Sequence, residues 1–181
     1  MKSASYYIRI TSALLAICAV VALLLATVNI LTRDIIAANA QKEREKAVAD
    51  IYPAMTTMEA QENDWLDGVN NVYAVYENDA WIGYAVDLNS RGFGGDINMI
   101  VGIRTDGTVA GVRVISHSET PGLGSKATLA DYLQNYTGVG EQLTIKEDID
   151  AVSGATISSK AVLAGVNLAL SLGLGGVSAH A

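Results

Sequence analysis

Ile97-Asn98-Met99-Ile100-Val101-Gly102-Ile103, then Thr105-Asp106-Gly107-Thr108, then Val109-Ala110-Gly111-Val112-Arg113-Val114-Ile115: two apolar, β-branched runs stand on either side of an Asp-Gly turn. Asp-Gly in that setting is a strong hairpin signal, because glycine accepts the positive φ that a tight turn demands. The same pattern stands upstream, where Val72-Tyr73-Ala74-Val75-Tyr76 and Ala80-Trp81-Ile82-Gly83-Tyr84-Ala85-Val86 flank Asn78-Asp79. A glycine-rich bend, Gly92-Phe93-Gly94-Gly95, joins the two pairs. Four antiparallel strands in sequence are therefore expected. Residues 54–71 read as polar and irregular, with turn signals at Asp67-Gly68 and Asn70-Asn71.

Beyond the strands the pattern changes. Residues 126–136 read as a short helix, Leu143–Ile145 as a short strand and Ile157–Leu172 as a long apolar helix. From Ala161 onward the only titratable side chain is His180, so a second membrane span is the rival reading of that helix. Asn167, Ser171 and the glycines between Gly165 and Gly176 favour a helix buried against the sheet instead. Strands followed by helices define an α+β domain, an antiparallel sheet packed with helices, over residues 54–181.

A different kind of segment precedes it. From Ile10 to Thr32 no residue is charged, and as a helix those 23 residues rise roughly 34 Å, enough to cross a hydrocarbon core of about 30 Å. Ala38-Asn39-Ala40 resembles a signal-peptide cleavage site, but a signal core is typically about 7–15 residues, so a retained transmembrane helix at 10–32 is favoured. Residues 1–9 then form a short N-terminal tail. Residues 33–53 continue in helical style through Gln41-Lys42-Glu43-Arg44-Glu45-Lys46 and stop at Tyr52-Pro53, as a stalk or a helix lying on the domain. Lys2 and Arg9 before the span, and Arg33, Lys42, Arg44 and Lys46 after it, leave its orientation undecided, since the charge rule is weak for long domains.

Composition excludes several function classes. Acidic residues outnumber basic ones 19 to 12, giving a formal charge of −7 that disfavours nucleic acid. The single cysteine, Cys18, lies in the apolar segment and leaves no disulfide or thiolate metal site within the chain. His117 and His180 are too few and too far apart for a metal centre, so no metal is expected.

Two short motifs carry candidate chemistry. In Ser153-Gly154-Ala155-Thr156-Ile157-Ser158-Ser159-Lys160, a loop enters the apolar helix. A hydroxyl at Ser153 or Thr156 suits a helix cap, Gly154 permits a sharp turn, and free N–H groups at a helix start suit an anion. Lys160 follows Thr156 by four residues, on the same helical face, where an ammonium neutralises a phosphate. An ordinary N-cap explains the same spacing. The second motif, His117-Ser118-Glu119-Thr120-Pro121-Gly122-Leu123-Gly124, follows the last strand and forms a loop where binding residues commonly sit, although alone it could be only a turn.

Together the two motifs resemble the FMN-binding domain family, as does the stretch from Gly94-Gly95 through Val101-Gly102-Ile103, Asp106-Gly107 and Gly111-Val112. The resemblance implies FMN bound covalently through its phosphate to Thr156, with Ser153, Gly154, Ala155, Ser158, Ser159 and Lys160 around the attachment. It also implies a binding loop of Glu119, Thr120, Pro121, Gly122, Leu123 and Gly124. Thr156 is then an attachment point, and no residue is expected to be catalytic. With its N-terminal anchor the chain is similar to the G subunits of the Rnf (also called Rsx) electron-transport complexes. That likeness implies an electron carrier in a translocase coupling ferredoxin:NAD+ electron transfer to ion translocation. The implied partners are other membrane subunits, the lipid bilayer and a flavin transferase, and the flavin domain faces the periplasm or cell exterior from the inner membrane. The C-type subunits of sodium-pumping NADH:quinone reductase, a stand-alone extracytoplasmic flavin reductase and an anchored binding domain without cofactor are the alternatives. Trp81, Tyr84 and Phe93 are candidates to flank the flavin ring, or core residues of the sheet.

Overall fold

The four strand-forming runs are strands in a computed structural model, which describes residues 2–61, 67–145 and 148–175. Helix α1 (Lys2–Ile51) is followed by β1 (Thr57–Gln61), β2 (Val69–Glu77), β3 (Ala80–Arg91), β4 (Asp96–Arg104) and β5 (Val109–His117). Two 3₁₀ turns, Gly124–Thr128 and Gln134–Tyr136, enclose the one-turn helix α2 (Ala130–Leu133), and α3 (Thr156–Gly175) closes the domain. The chain divides into two units after Lys42.

The first unit is helical, and α1 is long and apolar enough to cross a membrane, with a mean hydropathy of 2.8 over its most apolar window, none of it buried. The helix ends at Ile51, just before Tyr52-Pro53. His180 lies outside the described residues.

In the second unit all five strands pair antiparallel in the order β1-β2-β3-β4-β5. The β2–β3 hairpin turns on Asn78 and Asp79, both with positive φ (46° and 68°), the combination a two-residue type I′ turn requires. Gly107 (φ 84°) closes the β4–β5 turn, where Asp106 Oδ1 accepts the Thr108 N–H at 2.9 Å and its hydroxyl at 2.7 Å.

β1 is a strand that the polar reading of residues 54–71 missed. It is an edge strand with mostly exposed side chains and one partner, so it carries no apolar alternation. Leu143–Ile145 is not a strand: only an isolated bridge joins Ile145 to Ile149. The Asn167 side chain takes the place of a strand partner, accepting the Leu143 N–H and donating to the Leu143 carbonyl, each at 2.8 Å. The expected helix over 126–136 is α2 with its flanking 3₁₀ turns.

Alternation along the strands gives the sheet two covered faces. On one, Val72, Val86, Leu88, Met99, Val101 and Val112 pack against Val162, Val166, Ala169 and Leu170 of α3, which is thus a core helix. The other face meets the last turns of α1 and the residue after them, where Ala47, Val48, Ile51 and Tyr52 bury Tyr73, Val75, Ala85 and Ile100. The cross-strand pair Gly102 and Gly111 makes the seat for Ile51, since a Cβ at Gly102 would stand 2.5 Å from Ile51 Cγ2. Beside it, Arg44 Nε donates to the buried Asp87 carboxylate at 2.6 Å, and Asn70 and Asn98 each donate to its other oxygen at 2.9 Å.

Two tyrosines predict alkaline behaviour. Burial raises the phenol pKa of Tyr52, packed on the sheet just after α1, and of Tyr136, in the α3-side core, well above the ordinary 10.0. An unfolded tyrosine ionises above that value while the folded one keeps its proton, so the folded state holds more protons and stability falls as pH rises. The melting temperature should therefore be insensitive to these groups below pH 10 and drop above it. The drop should shrink in Tyr52→Phe and Tyr136→Phe, measured by circular dichroism between pH 8 and 11.5.

Candidate functional site

Three chain segments converge at one end of the sheet: the β3–β4 hairpin tip at residues 92–95, the loop after β5 and the start of α3. Each is shaped by glycine at a position where a side chain does not fit. Gly92 N–H donates to Gly95 O at 2.8 Å and closes the hairpin tip. A Cβ on Gly92 would collide with Glu119 Oε1, and one on Gly124 with Glu119 Oε2.

Glu119 lies in the middle, only 4% exposed. Its Oε1 accepts the N–H groups of Phe93 (2.8 Å) and Gly94 (3.2 Å), and its Oε2 accepts the Ser158 hydroxyl at 2.6 Å. A buried carboxylate is costly unless it is hydrogen-bonded, and here three donors meet it. His117 Nδ1 accepts the Glu119 N–H at 3.2 Å, which gives this histidine a place in the turn.

The entry into α3 is a β-turn in which the Ala155 N–H donates to Val152 O at 2.9 Å and Gly154 has φ 78°. Ser159, fully buried, accepts the Val152 N–H at 3.1 Å through its hydroxyl and so fastens the turn to the helix. The first helical bond onto the turn runs from Ser159 N–H to Ala155 O at 2.9 Å. The N–H groups before it, in the first turn, have no intrahelical acceptor, which gives this end of α3 its partial positive charge. Thr156 is the first helical residue; its side chain is exposed and engages no hydrogen bond among the described residues. Among the described residues neither its hydroxyl nor that of Ser153 caps the helix, so the ordinary N-cap reading does not describe Thr156. Gly154→Ala should destabilise the domain by about 1–2 kcal/mol, the cost of a left-handed backbone for an L residue. Its Cβ would also stand 2.9 Å from Leu123 Cδ1, and urea unfolding measures the loss.

These segments enclose a pocket of about 310 Å³, at the lower end of the about 300–1,000 Å³ typical of ligand sites. Of the residues singled out by sequence, Phe93, Glu119, Thr120, Leu123, Gly124, Gly154, Ala155, Thr156 and Ser158 line it. Pro121, Gly122, Ser153, Ser159 and Lys160 do not. Gly122 (φ 74°) shapes the loop and donates to Ser125 Oγ at 2.9 Å, while Lys160 is exposed one turn beyond Thr156. Ile157 lines it too, and Phe93 and Ile157, 72% and 53% exposed, give the pocket an apolar rim with Leu123. Ile157 had no signal in the sequence beyond adjacency to Thr156. Trp81 and Tyr84 pack on one another with ring centroids 5.0 Å apart and take no part in the lining. No group of metal-ligating side chains occurs among the described residues.

The sequence profile of the FMN-binding domain family matches residues 92–171, the span that builds this pocket. That defines the class, a domain of FMN-binding type behind a helix long enough to cross a membrane. A second profile, the RnfG N-terminal region, matches residues 1–51. The G subunit of an ion-translocating oxidoreductase complex from Cereibacter sphaeroides is 31% identical over 83% of this chain and 77% of its own length. The corresponding protein from Methanosarcina acetivorans is 30% identical over 90% of this chain and 92% of its own. The G subunit of the proton-translocating ferredoxin:NAD(+) oxidoreductase complex of Clostridium ljungdahlii is 28% identical over 93% and 92%. The chain belongs to the family of G subunits of ion-translocating oxidoreductase complexes. Among solved structures, the crystal structure of Shewanella oneidensis NqrC aligns over 68% of this chain and 69% of that one, at 22% identity and a TM-score of 0.48.

Proposed function

We propose that this chain is the flavin-bearing electron carrier of a membrane complex that couples ferredoxin:NAD+ electron transfer to ion translocation, with FMN esterified through its phosphate to Thr156. The observation that carries the reading is an exposed threonine hydroxyl at a helix start, without a hydrogen bond among the described residues and lining a pocket with an apolar rim. The residues present suit the group. The open N–H groups and positive end of α3 suit the phosphate, Lys160 supplies a cation one turn on, and Phe93, Leu123 and Ile157 offer apolar surface to a planar ring.

During maturation the Thr156 oxygen accepts the FMN phosphoryl group from FAD, supplied by a Mg²⁺-dependent flavin transferase. An oxygen–phosphorus bond forms at Thr156, the pyrophosphate bond of FAD breaks, AMP departs and the hydroxyl proton passes to the transferase. FMN supplies one- or two-electron transfer when bound. The protein's part is to hold and orient: Thr156 would tether the phosphate, and Phe93, Leu123 and Ile157 would offer apolar surface to the ring. A single helix with one redox site cannot move ions through a bilayer, so other membrane subunits provide the ion path. The flavin domain faces the periplasm or cell exterior, where a tether prevents loss of a cofactor that would not be replaced.

The test is production of the full chain in a host containing a flavin transferase, followed by a denaturing gel viewed for flavin fluorescence. A fluorescent band is expected at this chain's mass, and a dark wild-type band refutes the covalent reading. Co-purified subunits identify the complex: ferredoxin:NAD+ oxidoreductase subunits support the assignment, and a sodium-pumping quinone reductase set overturns it.

A further inference from the structure

We propose that Glu119 is a positioning residue: it fixes Phe93 over the pocket and so sets where the flavin ring rests, without taking part in its attachment. The inference rests on the covalent-flavin reading, and deepens it. A loop glutamate beside a cofactor invites the view that it bonds the cofactor directly. Its surroundings point to a structural part, because Oε1 holds the Phe93 and Gly94 N–H groups and Oε2 holds the Ser158 hydroxyl. Those three bonds join the hairpin tip to the first turn of α3, the turn that begins with Thr156.

The clamp is built in from both sides. Gly92 and Gly124 leave the space that its two oxygens occupy, and a Cβ at either would strike them. Phe93 needs such a fixing, since its ring is largely in solvent and its backbone lies in a four-residue tip between strands. Thr156 has no bond to Glu119, and its hydroxyl reaches the surface independently. Attachment and ring placement are thereby separable: the first depends on the Thr156 oxygen, the second on the tip that Glu119 holds.

The experiment uses the full chain co-produced with a flavin transferase, read by flavin content, fluorescence anisotropy of the attached flavin and its quenching by iodide. Flavin-free wild type refutes the covalent reading itself and is recognised before any variant is compared. Given flavinylated wild type, Glu119→Ala should keep its flavin content but lose anisotropy and become severalfold more accessible to iodide. Glu119→Gln should restore wild-type values, because its carbonyl accepts from Phe93 and Gly94 and its amide donates to Ser158. Phe93→Ala should match Glu119→Ala, and the double variant should add nothing further, as expected of residues acting as one unit. Wild-type anisotropy and quenching in Glu119→Ala would overturn the proposal, as would a folded Glu119→Ala lacking flavin. Where Glu119→Ala loses its circular dichroism, Ser158→Ala decides by the same readouts, with raised iodide access supporting the clamp and unchanged access overturning it.

Discussion

Thr156→Ala is expected to give a folded, colourless protein, with covalent flavin reduced from one per chain to none. The side chain is exposed and makes no hydrogen bond among the described residues, so its loss removes no packing or cap. Alanine is also the best helix former, and a surface change of this kind shifts stability by within about 0.5 kcal/mol. Thr156→Val retains the branched shape and should be equally colourless, whereas Thr156→Ser keeps a hydroxyl and should still accept flavin. Matched melting curves beside an all-or-none difference in flavin absorbance would separate attachment from folding. Flavin retained by Thr156→Ala would move the site to another hydroxyl.

The largest expected loss of stability comes from Arg44→Ala. Asp87 is 1% exposed and its charge is met by the Arg44 guanidinium, with Asn70 and Asn98 as additional donors. The short contact raises the Arg44 pKa, chiefly through the hydrogen bond to Asp87. Removing one partner of a buried pair costs about 3–5 kcal/mol, because the remaining charge stays out of water. The two asparagines remain, so about 3 kcal/mol is expected, a large share of the roughly 5–15 kcal/mol that holds a domain together. Urea unfolding should show a lowered midpoint with the slope unchanged. Arg44→Met combined with Asp87→Leu should recover most of the loss, since it removes both charges and keeps apolar volume. An Arg44→Ala midpoint equal to wild type would mean that Asp87 is adequately held by its asparagines.

The sheet could be read from the chain because its inner strands are apolar, β-branched runs, buried on both faces, and its turns carry Asp-Gly and Asn-Asp at the required places. β1 could not, since an edge strand with exposed side chains needs no apolar pattern. Leu143–Ile145 misled for the opposite reason. Its apolar run is satisfied by Asn167, a tertiary bond with no local signature. That same asparagine, with Ser171 and the glycines between Gly165 and Gly176, marks the apolar helix as a core helix and not a second span.

For the site, glycines and hydroxyls marked the two loops, but their meeting was not visible. Glu119 and Ser158 are 39 positions apart in the chain and 2.6 Å apart in space. Phe93 could be named from sequence as a candidate beside the flavin, but the bend that carries it showed neither its place at the pocket nor its tie to Glu119. The attachment of flavin to Thr156 came from family resemblance, because spacing alone allowed a simple cap.

The most direct measurement is the mass of one tryptic fragment. Cleavage after Lys146 and Lys160 releases residues 147–160, which carry four hydroxyls, at Ser153, Thr156, Ser158 and Ser159. From protein matured with a flavin transferase, the fragment should be heavier by one FMN less one water, with fragmentation placing the addition on Thr156. An unmodified fragment, or an addition on any of the three serines, would contradict the assignment.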